Sequence, residues 1–459
     1  MKYTGTDLLA KAPVGKAIFH LALPMIAAML AQSIYNLFDI FFVGKTGDTN
    51  MITAISLVFP ILLLAQAIGL VFAIGGASYI SRLFGLKNEK EAQKTSSVCF
   101  YFSIVSNLFI SLFLLVFKQK IFNMLGVSDT ALHYTERYYT LMVLFIPFAV
   151  TSVVLSSLMR SEGATDKAMR LIIYGLFTTI ILDPILILGF KLDTLGAAIS
   201  SSTGQIVSFL YGISYFTSLP SLRGTKQSIP SPKTKLSLDI KNVLPNKLLL
   251  KEVFFIGFPA GLTNFFSGIA TIFSNRIATN YGDDVVAASN LQLRIATICF
   301  TLVFAMTMGY QPFAGFNFSA KNFERLKAGF KYILVSTTAL CIVSSIVFYV
   351  FASSLIRFFI DDEQTIHTGT IMLHAFAIGL IFFGIQDTIM TTFQAIGKPF
   401  PAMIISISRQ VIFYIPFLFI FSRFWSFNGF IFAFPAADIC TTILAISLSY
   451  PLYKIFKRA

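Results

Sequence analysis

The chain has 459 residues, of which 56% are hydrophobic and only 12% charged, with a mean hydropathy of +0.77. A soluble protein of this length could not hide that much apolar side chain, so the composition excludes a water-soluble fold and places the chain in a bilayer. The net charge of +14 would suggest nucleic acid on a soluble protein; here it reads as topology, because basic residues collect in cytoplasmic loops.

Apolar runs of about 20 residues or more, enough to cross a hydrocarbon core, recur from end to end. They predict an all-α membrane protein of twelve helices, over 17–43, 51–80, 95–117, 137–159, 169–190, 195–217, 252–279, 285–316, 329–356, 366–396, 400–423 and 427–453. The N-terminus lacks a short apolar core followed by a small-residue cleavage site, so the first helix reads as an uncleaved anchor. With the N-terminus inside, twenty-six basic residues fall in inside segments and seven outside, leaving Arg276 and Arg294 within helices. Both termini are therefore expected to be cytoplasmic, in a multi-pass plasma (inner) membrane protein.

The first helix reads LALPMIAAMLAQSIYNLFDIFFVG. Gln32, Asn36 and Asp39 are spaced i, i+4, i+7 and share one face, with Tyr35 four residues before Asp39. A carboxylate in such a run is costly and is by default a functional-site residue; the two amides equally suit interhelical hydrogen bonding. Pro24 removes a backbone hydrogen bond and is expected to bend the helix.

The fifth helix, YGLFTTIILDPILILGF, carries a second acid, Asp183, with Thr179 one turn before it. Pro184 follows and frees carbonyls in the preceding turn, a setting suited to a small cation or a proton. The sixth helix opens LGAAISSSTGQ; Ser201 and Gln205 lie one turn apart, and Gly196 and its small neighbours allow close packing. Asp39, Asp183 and Ser201 all fall in the outer half of the membrane. Two buried carboxylates close together do not both stay ionised, so such a pair can exchange a proton for a cation, the physical basis of antiport coupling.

The stretch 218–251, with Ser, Pro and seven basic residues, reads as a cytoplasmic linker. It separates an N-terminal six-helix lobe, 1–217, from a C-terminal one, 252–459. The halves match at a nearly constant offset: Phe19, Pro24, Gly47 and Asp48 meet Phe254, Pro259, Gly282 and Asp283, while Phe84, Lys87, Asn88, Gly163, Ala168 and Met169 meet Phe318, Lys321, Asn322, Gly397, Ala402 and Met403. Six helices per repeat make the repeats parallel and pseudo-symmetric, an arrangement common in transporters.

The second half lacks the acids. Ser274 stands opposite Asp39, and the region opposite Asp183 reads YIPFLFI. Its ionisable residues are Arg276, Arg294, Asp387, Arg409 and Asp438; Arg409 with Asp387 or Asp438 reads as a structural ion pair. There is no GxxxxGK[ST] loop and no HExxH, and the four cysteines have no metal-ligand spacing; the four histidines are scattered, and His367 and His374, seven apart on the tenth helix, read as interfacial or packed imidazoles in preference to a metal pair. No catalytic constellation, metal site or cofactor is expected.

With these segments assembled, the chain resembles the MATE (multidrug and toxic compound extrusion) transporters, especially the bacterial DinF- and MepA-like branch. The resemblance rests on LPMIAAMLAQSIYNLFDIFFVGKTGD, GGASYISRLFGLKNEKEAQKTSS, LMRSEGATDKAM, LDPILILGFKLDTLGAAISS and FQAIGKPFPAM. It implies a two-lobed antiporter, opening alternately to each side, that exports amphipathic or cationic organic compounds in exchange for H⁺ or Na⁺. The family's coupling acids fall on Asp39 and Asp183, its first-helix tyrosine on Tyr35, its sixth-helix hydroxyl on Ser201 and its bending proline on Pro24. Where the family often has Asn before the fifth-helix acid, this chain has Thr179, which tilts the expectation towards H⁺. Gln32, Asn36, Tyr35 and Gln205 are expected at the substrate cavity, Pro24 and Pro184 at hinges, and the protein is expected to be a monomer. The alternative is a flippase for lipid-linked oligosaccharide or lipid from the same superfamily, which would need basic residues such as Arg276 and Arg294 in its central cavity.

Overall fold

A computed structural model of the chain describes residues 5–44, 49–125, 127, 129–217, 234–243 and 247–457, without the side chains of 36–44, 49, 50, 52, 53, 56, 129–131 and 283. Sixteen α-helices and no strand occur among the described residues. In chain order they are α1 (Thr6–Lys11), α2 (Val14–Gly44), α3 (Thr49–Gly85), α4 (Glu89–Val116), α5 (Lys118–Leu125), α6 (Asp129–Ser161), α7 (Thr165–Asp183), α8 (Asp193–Thr217), α9 (Lys247–Ala278), α10 (Asp283–Ser319), α11 (Phe323–Val350), α12 (Ala352–Arg357), α13 (Glu363–Ala395), α14 (Pro399–Ile407), α15 (Ile415–Leu448) and α16 (Tyr450–Phe456).

Ten helical stretches among the described residues are long and apolar enough to cross a membrane. The twelve spans expected from sequence differ from this count at two places. The polar, Ser-rich opening of α8 lowers its apolarity, so it falls outside the ten. The stretch Pro399–Leu448 holds two of the expected spans in one helical run. Ser426 breaks that run at φ 50°, ψ −130°. A Cβ on Gly429 would lie 1.9 Å from the Phe421 carbonyl oxygen. Eight residues of straight helix would separate these groups by about 12 Å, so the chain folds back here.

The chain divides into two compact units: residues 1–11 with 27–261, and residues 12–26 with 262–459. The two lead helices are therefore shared. The division crosses α2 two residues after Pro24 and α9 two residues after Pro259. Within the first unit the start of α9 packs backbone to backbone: a Cβ on Gly75 would lie 1.9 Å from the Val253 carbonyl, and one on Gly257 equally close to that of Val71. Within the second unit Gly309 meets Ala22 of α2 in the same way, at 2.6 Å. Small residues here let helices approach closely.

The internal repeat is visible as repeated geometry. Lys87 and Lys321 both take φ 58°, and Gly163 and Gly397 both have positive φ. Asn88 caps α4 through the Glu91 N–H, and Asn322 caps α11 through the Arg325 N–H. The Ser111 hydroxyl donates to the Val143 carbonyl at 2.8 Å; its counterpart Ser345 donates to Ala377 at 2.6 Å.

Candidate ion-coupling site

Asp183 ends α7 and is wholly buried. A π-helical turn, Pro184–Gly189, begins at the next residue. Pro184 has no N–H to continue the α ladder, and the wider register that follows, with the Phe190 N–H donating to the Ile185 carbonyl at 2.8 Å, is the local consequence.

The partner of Asp183 is fixed by two matching stripes. Leu171, Gly175, Thr179 and Asp183 recur every fourth residue on α7. Gly196, Ser200, Gly204, Ser208 and Gly212 do the same on α8. The stripes run antiparallel in contact. Ser208 Oγ donates to the Leu171 carbonyl at 2.9 Å. A Cβ on Gly204 would lie 2.1 Å from Thr179 Oγ1 and 2.6 Å from the Gly175 carbonyl. At the end of the series the Ser200 hydroxyl hydrogen-bonds Asp183 Oδ1, and it also lies 3.0 Å from the Ala197 carbonyl.

The sequence-derived residues distribute as follows. Ser200, not Ser201, reaches Asp183. Ser201 Oγ instead meets Tyr35 Oη at 3.4 Å, which brings that face of α2 to α8. Thr179 is buried, and its hydroxyl donates back to the Gly175 carbonyl at 3.0 Å rather than to the acid. Gln32 and the Gln205 side chain are exposed. Pro24 lies within α2, and Pro184 opens the π-helical turn. Asn36 and Asp39 lie on α2, but their side chains fall outside the described residues. The residue missed in sequence is Ser200; its signal was the four-residue recurrence of small side chains from Gly196 to Gly212.

The second unit is built differently at corresponding places. Arg409 and Asp438 stand 234 residues after Gly175 and Gly204. Where the first unit has two glycines in contact, the second has an ion pair, Arg409 Nε to Asp438 Oδ1 at 2.7 Å. Gln386 Nε2 also donates to Asp438 Oδ1, at 3.0 Å. The guanidinium carbon lies 4.6, 5.1 and 5.2 Å from the rings of Phe383, Phe300 and Phe434. Asp387 accepts from Thr307 Oγ1 at 2.8 Å. Of the two acids proposed as partners of Arg409, Asp438 takes the hydrogen bond. Arg276 and Arg294 are exposed. Along α9, Ser267 Oγ accepts from Gln410 Nε2 at 3.2 Å and Ser274 pairs with Tyr414 at 3.1 Å. Ser267 and Ser274 correspond to Gln32 and Asp39, so in this unit the equivalent stripe faces the segment that corresponds to α7.

The MatE family profile matches this chain twice, over residues 24–185 and 259–420. The chain belongs to the MATE family. The two matches begin on Pro24 and Pro259, so the MATE repeat and the internal repeat coincide. The chain is 30% identical to the multidrug export protein MepA of Staphylococcus haemolyticus over 95% of its own length and 93% of that protein. It is equally similar to MepA of Staphylococcus aureus strain MW2, over 96% and 95%. The fold matches an outward-facing multidrug resistance MATE transporter at a TM-score of 0.91 and 21% identity, over the whole of both chains. It also matches a point mutant of the Vibrio cholerae MATE transporter VcmN, at 0.86 and 22%, over 96% of this chain and 98% of that one.

Proposed function

We propose that this MATE chain is a secondary antiporter of a bacterial plasma membrane that exports amphipathic, often cationic, organic compounds in exchange for an inward ion, and that it is not an enzyme. The observation that carries this reading is Asp183, a wholly buried carboxyl in a membrane span with a hydroxyl partner. Such a group is retained in hydrocarbon for ion or substrate traffic. Likeness to multidrug export proteins along nearly the full chain supports the cargo class.

Asp39 is assigned to the same site. Tyr35 sits one turn before it and touches Ser201, next to the serine that holds Asp183. The pairing of Ser274 with Tyr414 in the second unit supports the same facing. The coupling ion is assigned as H⁺. Ser200 has a single hydroxyl proton and two acceptors in reach, Asp183 and the Ala197 carbonyl. It can donate to an ionised Asp183, or turn to Ala197 and accept a hydrogen bond from the O–H of a neutral one. The site thus accommodates both states of the acid by one rotation. Both termini face the cytoplasm in this reading, and the chain works as a monomer.

The test is efflux of a cationic dye from reconstituted vesicles, under a pH gradient and a sodium gradient applied separately. A pH gradient alone should drive wild-type efflux, and Asp183→Asn should lower it at least about tenfold. Efflux driven only by sodium would move the assignment to Na⁺. A correctly inserted Asp183→Asn protein that pumps normally would remove Asp183 from the mechanism.

A further inference from the structure

On the exposed side of the second unit, α11, α13 and α15 leave a groove of about 610 Å³. Leu334, Val335, Ala339 and Ile342 of α11 line it, with Ile389 of α13 and Ile446 of α15. Val335, Ile342 and Ile446 are exposed. In a bilayer this face is covered by lipid, and a recess of this size takes an acyl chain.

The end of the groove nearest the start of α11 is predominantly basic, with exposed Glu324 one turn before Lys327. Lys331 and Lys327 continue the stripe of Val335 back along α11 at intervals of four residues. The short helix α16 packs alongside: the rings of Phe330 and Phe456 lie 5.2 Å apart, and Lys327 Nζ donates to the Phe456 carbonyl at 3.5 Å. It adds Lys454, whose ammonium sits 4.8 Å over the Tyr450 ring. All three lysines are exposed, and among the described residues none of them is in an ion pair. Tyr450 and Tyr453 of α16 are exposed on the same short helix as Lys454, as aromatic side chains are at the level of lipid headgroups.

We propose that this groove is a binding site for an anionic phospholipid, with an acyl chain along Val335–Ile342 and the phosphate among Lys327, Lys331 and Lys454. From Lys331 to Ile342 the groove runs about 16 Å along the helix, which suits a chain lying beside α11 with its headgroup at the lysines. A zwitterionic lipid would fill the groove but leave the lysines without a net countercharge. An amphipathic cation would meet three like charges at the mouth. Lysines near an anionic headgroup each favour binding by about fivefold. The groove belongs to the second unit and the coupling residues to the first, and the site does not depend on what the protein exports.

The test uses the purified full-length protein with dioleoyl phosphatidylglycerol, dioleoyl phosphatidylcholine or inorganic phosphate, read by native mass spectrometry and by thermal melting. Wild type should retain phosphatidylglycerol at least about tenfold better than phosphatidylcholine and melt higher with it, while phosphate alone has no effect. The triple variant Lys327→Gln/Lys331→Gln/Lys454→Gln, on exposed side chains, should lose this preference while still binding phosphatidylcholine. Ala339→Trp should fill the groove and weaken both lipids. Equal retention of the two lipids by wild type, an unchanged preference in the triple variant, or an equal effect of phosphate would each overturn the proposal.

Discussion

Ser200 and Ser201 are neighbours on α8 with different duties. Ser200 Oγ is held against Asp183, whereas Ser201 Oγ meets Tyr35. Ser200→Ala should therefore displace the pH profile of efflux, because it removes the group that answers the protonation state of Asp183; Ser201→Ala should leave that profile in place. Efflux rate against pH for the two variants checks this, and a displaced profile in Ser201→Ala alone would reverse the assignment. Arg409 makes a second residue-scale prediction. Replacing it by Met leaves Asp438 buried without its cation and should cost about 3–5 kcal/mol, whereas the double change Arg409→Met/Asp438→Asn should recover most of that loss. Melting of the two variants decides whether the pair is structural. In the sequence the acids themselves were legible, because a carboxylate in an apolar run is conspicuous. Their partners were less so: at 100° per residue, Ser200 and Ser201 point to different neighbours, and the polar pair Ser201/Gln205 masks the stripe that makes the contact.

At the scale of elements, the α7–α8 contact sets the site. Gly204→Ala would place its Cβ 2.1 Å from Thr179 Oγ1 and 2.6 Å from the Gly175 carbonyl. The second of these is backbone and cannot turn aside, so α7 must move; a cost of roughly 1–3 kcal/mol is expected, with Asp183 displaced and coupling impaired. A melt no lower than wild type would show that the helices are not in such contact. A second element, the strap of residues 234–238, lies on the first unit. The Glu162 carboxylate, 4% exposed, accepts from Tyr215 Oη at 2.5 Å, from Thr234 Oγ1 at 2.9 Å and from the Lys235 N–H at 3.1 Å. Ser96 and Ser97 donate to the Ser237 carbonyl at 2.7 and 2.9 Å, and Tyr101 to that of Leu238 at 3.1 Å. Burial pushes the Glu162 carboxyl up, against the lowering effect of its donors and of Lys235. A carboxyl raised in the docked state binds its proton more tightly there. The docked strap is thus most stable below the ordinary carboxylate range and loses stability as pH rises through the raised value. Hydrogen exchange at the Lys235 amide should quicken with pH beyond its intrinsic dependence in wild type but not in Glu162→Gln; the same excess in both would remove Glu162 from the clasp. None of this was visible in a linker read only as polar and basic.

For the molecule as a whole, the sequence disclosed the duplication because its signatures, turn glycines, capping asparagines and helix prolines, are set by local backbone geometry and survive divergence. It did not disclose that α2 and α9 each contribute to both compact units, since that depends on which small residues, Gly75 with Gly257 and Gly309 with Ala22, meet across long separations. In the proposed scheme the coupling acids belong to the first half, and a buried acid of the second half has a different setting. The position that is Gly204 beside Gly175 in the first unit is an arginine-neutralised Asp438 in the second, so that acid is already matched by a resident cation. Transport in this scheme turns on cargo and proton exchanging through Asp183. The decisive check is proton release on adding a cationic dye to the purified, unbuffered protein, followed with a pH indicator near neutral pH. Wild type should release about one proton per dye bound, and Asp183→Asn almost none; equal release from both proteins would contradict the exchange.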